Sequence, residues 1–178
     1  MFADKRVDRG YCDFRWILSM PTVASVVLAL ALSLAGAGAA HAAEWTVKTV
    51  ARTDGPGVRC VLESSRESVP DGYQKTSVYI SVAPRSVAVT SASVLDGGFK
   101  DIGLVVDQEE FIPLDRLGGE KTALFDSTYD RVVEQFKAGL EVRVQLRFWP
   151  TWPATGTHST TFSLIGFTKA YGQLSGCR

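Results

Sequence analysis

The amino-acid sequence predicts a mainly β domain: an antiparallel β-sandwich or flattened barrel with one amphipathic helix and a short C-terminal helix. Three observations predict it. About seven short segments alternate apolar with polar residues and are rich in valine, isoleucine and threonine. Glycine, aspartate and proline punctuate the gaps between them. Helical spacing of apolar residues occurs in only two places after residue 43. An α+β sheet with both helices on one face is the other arrangement this pattern allows.

Trp45 to Val50 alternates imperfectly and predicts a first strand. Thr53-Asp54-Gly55-Pro56-Gly57 is turn chemistry, so Val58 to Glu63 should return beside it as a hairpin. Ser64 to Gly72 is polar and predicts a loop, with Pro70-Asp71-Gly72 a second turn. Thr76 to Val82 places Val78, Ile80 and Val82 on one face, and Ser86 to Thr90 repeats the pattern with Val87 and Val89. Asp96-Gly97-Gly98 marks a reversal before a short apolar strand from Ile102 to Val106. An acidic step (Asp107, Glu109, Glu110) separates that strand from the patch Phe111-Ile112-Pro113-Leu114, and Gly118-Gly119 closes the region.

The first helix should begin at Ser127, with Asp130 in a capping-box position, and stop at Gly139. Tyr129, Val132, Val133 and Phe136 form its apolar face. Glu141 to Phe148 is the cleanest strand, with Val142, Val144, Leu146 and Phe148 inward and Glu141, Arg143, Gln145 and Arg147 outward. Thr160 to Ile165 should pair back on it across a long loop. Phe167 to Leu174 then reads as a short helix that directs Phe167, Ala170, Tyr171 and Leu174 to the core.

Residues 1–42 read as a signal peptide and residues 43–178 as a single exported β-rich domain. Lys5, Arg6, Arg9 and Arg15 supply a basic leader, Val23 to Leu34 an apolar core, and Ala40-His41-Ala42 a small-x-small cleavage site. The apolar run from Met20 to Ala40 is almost long enough to span a bilayer, so an uncleaved anchor is the competing reading. Its Gly- and Ala-rich end suits cleavage better. The expected location is the periplasm, with outer-membrane association or secretion as further destinations, and no membrane span remains after cleavage.

The 136 residues from Ala43 hold 15 Lys and Arg against 16 Asp and Glu. This balance makes no electrostatic case for nucleic acid or for an anionic membrane surface. Cys12 lies in the leader, so Cys60 and Cys177 are the two thiols of the exported part, and an oxidising compartment predicts their disulfide. No Cys-x-x-Cys pair and no metal-ligand spacing occurs, so a structural staple is the expectation rather than redox chemistry.

No catalytic, cofactor-binding or metal-binding set emerges, and no cofactor is predicted. The one histidine after residue 42, His158, lies in a small polar segment that predicts a solvated hairpin tip. Asp107, Glu109 and Glu110 could serve a small periplasmic hydrolase as an acid/base pair; the bland reading is a solvated acidic strand edge. On a strand, Asp107 and Glu109 would share a face and Glu110 would point away. The most unusual local sequence is Phe148-Trp149-Pro150-Thr151-Trp152-Pro153. In a polyproline-like turn its indoles, Trp149 and Trp152, would face one side. They form either a plug that closes the open end of the sandwich or an exposed ledge for a partner.

Trp45-Thr46-Val47, Cys60-Val61-Leu62-Glu63-Ser64 and Phe162-Ser163-Leu164-Ile165-Gly166-Phe167 with Ala170 resemble the invasion-associated locus B proteins. The resemblance covers about a third of the chain and implies an exported bacterial protein with a small β-rich domain. That family is named for a part in host-cell entry by some pathogens, and it supplies no catalytic residues. The chain departs from its cysteine pattern, with Thr49 where the family often carries a cysteine and Cys177 near the C-terminus. The sequence therefore predicts a non-catalytic binding domain whose partner is an envelope protein or a glycan.

Overall fold

A computed structural model of the protein describes residues 45–52, 55–150, 156–174 and 176. These belong to one compact unit, His41–Arg178. It is an antiparallel β-sandwich of two sheets with two helices, and the sheets do not close into a barrel.

The larger sheet begins with β1 (Thr46–Ala51) and β2 (Val58–Glu63), the expected hairpin. It continues through β4 (Lys75–Ala83) and β5 (Ser86–Ser91) to two short strands, β9 (Thr122–Leu124) and β8 (Arg116–Leu117). Its seventh strand, β3 (Glu67–Pro70), lies in the segment expected to be loop. β2 and β3 use the same edge of β4. Glu63 lies opposite Ser81 and Glu67 opposite Val78, so Ser64, Ser65 and Arg66 face only two residues of β4. This is a β-bulge, and Ser64 fills the ladder there. Its N–H donates to the Ile80 carbonyl (2.9 Å), and its hydroxyl accepts the Ile80 N–H (2.9 Å). A buried serine thus replaces the missing main-chain partner. The β3–β4 turn is held by buried Asp71, whose carboxylate accepts the Tyr73 and Gln74 N–H groups and the Ser93 hydroxyl. These donors hold its pKa below the usual carboxylate range, the Ser93 hydroxyl first among them.

The smaller sheet has the order β11 (His158–Ser163), β10 (Glu141–Leu146), β6 (Gly103–Val106), β7 (Ile112–Pro113). Val142, Val144, Leu146 and Phe148 point inward as expected, and all are buried. They meet Ile80, Val82, Val87 and Val89 of the larger sheet within one continuous core.

Helix α1 (Tyr129–Ala138) buries Val132, Val133 and Phe136. Its N-cap is Thr128, which makes no side-chain cap bond, and the capping box expected from Ser127 does not form. Asp115 captures Ser127 instead, accepting both its N–H (2.7 Å) and its hydroxyl. Gly139 ends the helix in extended rather than left-handed backbone. A Cβ there would approach Val106 Cγ1 to 2.5 Å, so glycine serves close packing. Helix α2 (Phe167–Leu174) occupies its expected span and packs on β1 and β2. Trp45 ties the start of β1 to α2 and β11: its ring meets Phe167 edge-on at 4.9 Å, and its indole N–H donates to the Ser163 carbonyl at 2.9 Å. The Tyr129 and Tyr171 hydroxyls lie 2.8 Å apart, and burial above all pushes the Tyr129 pKa up to about 12.

Among the described residues, no helix is long and apolar enough to cross a membrane. The predicted signal peptide and cleavage site lie outside them.

Candidate functional site

The site is built at the end of β10. Alternation continues one residue past the predicted strand, so Trp149 points outward after buried Phe148. Its indole is 63 % exposed. The main chain holds it there: Leu95 bridges to Phe148, the Trp149 N–H donates to the Val94 carbonyl (2.9 Å), and the Asp96 N–H donates to the Arg147 carbonyl (2.9 Å). Trp149 is therefore no plug, because a side chain that closed the core would be shielded from water. The Trp149–Pro150 peptide is cis. Trp152 lies outside the described residues.

Arg147 organises the surroundings. Its Nε and Nη2 grip the Asp101 carboxylate in a forked pair at 2.8 and 2.7 Å, and the Thr157 hydroxyl adds a further donor. The hydrogen bond from Arg147 chiefly holds the Asp101 pKa near 2, against a smaller upward push from burial. The turn at Asp96, in which its carboxylate accepts the Gly98 N–H, brings Phe99 over the same guanidinium, 4.3 Å from the ring centroid. Gly103, opposite Gln145, completes the surface. A Cβ on Gly103 would lie 2.6 Å from Phe111 Cζ and 2.2 Å from the Ile112 carbonyl oxygen, so only glycine lets that ring settle against the sheet. A shallow groove of about 470 Å³ runs between Phe111, Val105, Gln145 and Lys100. Trp149, Phe99 and Phe111 thus give this end aromatic character, and Lys100 adds a cation beside the Arg147–Asp101 pair.

The other end of the same sheet is acidic. Glu67, Asp107, Glu109 and Glu141 line a groove of about 880 Å³ together with exposed Leu140 and Ile165. The three acids considered for hydrolysis are not arranged as a strand face. Asp107 turns the chain with φ 47°, and its carboxylate accepts the Leu140 (3.1 Å) and Glu141 (3.0 Å) N–H groups. Glu110 pairs with Arg131 of α1 at 3.0 Å, which leaves Glu109 facing the groove. No group able to hold a metal ion occurs among the described residues.

His158 is no solvated tip. It opens β11 opposite Leu146, half-buried, with its ring 5.7 Å from that of Phe148. Its Nε2 is buried and makes no hydrogen bond among the described residues. Cys60 is half-buried on β2 opposite Thr49, while Cys177 lies outside the described residues.

No family model, curated protein or solved structure matches the chain. Sequence reasoning missed Phe99, Phe111 and the Arg147–Asp101 pair, because three separate segments bring them together. The outward position of Trp149 had a signal: the two-residue period of β10, carried one step further.

Proposed function

We propose that the chain is an exported periplasmic or cell-envelope protein whose domain from Ala43 is a non-catalytic binding module, a divergent relative of the invasion-associated locus B proteins. The observation that carries the binding reading is the exposed Trp149 indole beside the Phe99–Arg147 stack. Main-chain bonds fix the backbone at Trp149, so a partner that covers the indole has only two side-chain torsions to order, and such residues dominate interface energetics. The partner is an envelope protein or a glycan. The leader at residues 1–42 supports export. A Cys60–Cys177 disulfide fits the same compartment, and α2, which ends three residues before Cys177, packs on β1 and β2, where Cys60 lies. A small hydrolase has less support, because Asp107 is engaged by the main chain and Glu110 by Arg131.

The test is capture from an envelope extract by wild-type protein, by Trp149→Ala, and by Tyr73→Ala as an exposed aromatic control. Trp149→Ala should lose the captured partner and Tyr73→Ala should keep it. Equal capture by all three would overturn the assignment of this surface. N-terminal sequencing of the recovered protein should read from Ala43; an intact Met1 chain in the membrane fraction would rule out cleavage.

A further inference from the structure

We propose that Asp101 is the positioning residue of the Trp149 surface: its carboxylate fixes the Arg147 guanidinium as the seat of the Phe99 ring and ties Thr157 to the same point. This rests on the reading of the Trp149 end as a binding surface, and it names the group that orders it.

The main chain at this end is pinned without Asp101. The Asp96 N–H donates to the Arg147 carbonyl, the Trp149 N–H donates to the Val94 carbonyl, and Gly103 lies opposite Gln145 in the ladder. Those bonds leave the side chains of Arg147 and Phe99 unfixed, and arginine is among the residues with most rotamer freedom to lose. Asp101 removes that freedom. Arg147 Nε donates to both carboxylate oxygens, at 2.8 and 2.9 Å, and Nη2 donates to one of them at 2.7 Å. A fork fixes the plane of the guanidinium as well as its place. Phe99 lies against that plane, its ring centroid 4.3 Å from the guanidinium carbon. Thr157, the residue before β11, donates its hydroxyl to the same carboxylate.

Stability is not what this pair supplies. The Arg147 and Asp101 side chains are 20 % and 39 % exposed, and ion pairs open to water contribute little to folding. Its effect on geometry is larger. Arg147 and Trp149 point outward from the same end of β10, two residues apart, so the orientation of the guanidinium decides where the half-exposed Phe99 ring lies on the face that presents the indole. A partner then meets side chains that are already ordered, and the cost of ordering them is not charged to binding. Lysine at position 147 would keep the charge and lose both the fork and the flat seat for the ring.

The experiment compares wild type, Asp101→Asn, Arg147→Lys and Phe99→Leu, each purified from cells expressing the full chain. Proton NMR reads the stack without any partner. The Arg147 Cδ protons should lie upfield in wild type, through the Phe99 ring current, and at the ordinary arginine position in Phe99→Leu. Asp101→Asn should return them to that position although Phe99 is intact, and its melting temperature should fall by no more than about 5 °C. Capture from the envelope extract should weaken about tenfold in Asp101→Asn and in Arg147→Lys, the factor expected when two side chains must be ordered on binding. Three results would each overturn the proposal: an upfield shift that survives Asp101→Asn, a much larger fall in its melting temperature, or capture equal to wild type in both variants. If that capture is unchanged while Trp149→Ala abolishes it, the positioning role is excluded and the binding reading stands. Capture by Trp149→Ala equal to wild type would remove the binding reading and this role with it.

Discussion

Phe148 and Trp149 are neighbours in sequence and opposites in environment, so truncating each in turn tests the placement of the whole surface. Phe148 is 1 % exposed, lies beside the His158 ring and is bridged to Leu95. Phe148→Ala removes a buried ring and leaves a cavity, at a cost of about 3–5 kcal/mol. Trp149 is attached to the fold through its N–H and the Val94 carbonyl, a bond that alanine keeps. Trp149→Ala should therefore change stability by no more than about 0.5 kcal/mol. For a chain of this size, each kcal/mol moves the melting temperature by about 3–5 °C. The core variant should melt at least about 9 °C below wild type, and the surface variant within about 2 °C of it. Urea unfolding followed by far-ultraviolet circular dichroism gives the free energies without relying on tryptophan fluorescence. A Trp149→Ala variant as destabilised as Phe148→Ala would show that the indole is part of the core and refute the surface reading.

The Asp101–Arg147 pair predicts an acid-sensitive step. The folded-state pKa of Asp101 is depressed to about 2 from an ordinary 3.8. Its contribution is therefore complete above about pH 4 and is lost as the pH falls toward 2. Because Asp101 is partly exposed, solvent screening limits that contribution to about 1 kcal/mol. Asp101→Asn should flatten the stability profile between pH 4 and 2, and an unchanged profile would count against the pair. Trp45→Phe keeps a ring against Phe167 but leaves the Ser163 carbonyl without its indole donor, so urea unfolding should show a loss of about 1–3 kcal/mol. A loss near zero would mean that the indole bond adds nothing. Alkylation of the cleaved, denatured, unreduced protein should label neither Cys60 nor Cys177, and Cys177→Ser should lower stability by about 2–4 kcal/mol. Labelling of both thiols would exclude their pairing.

What the sequence by itself determined is whatever local chemistry can specify. The alternation of β4, β5 and β10 is written in consecutive residues, because side chains on a strand swap faces at every step. The β1–β2 hairpin follows from its turn residues, and α2 from the spacing of Phe167, Ala170, Tyr171 and Leu174.

Tertiary structure decided the rest, because the partners are far apart in the chain. β3 reads as a polar loop until β4 supplies its ladder and Ser64 bridges the bulge. β8 and β9 are too short to show a period and exist through pairing with each other and with β5. Ser127 is an apt helix cap in isolation, but Asp115 takes both its N–H and its hydroxyl, and the N-cap falls at Thr128. The aromatic end follows the same rule. Trp149 could be read as plug or ledge until Val94 and Asp96 fixed the main chain around it, and Phe99 and Phe111 reach that end from loops whose positions no local pattern encodes. Periodicity is a property of neighbours in sequence; a binding surface belongs to residues that only folding makes neighbours.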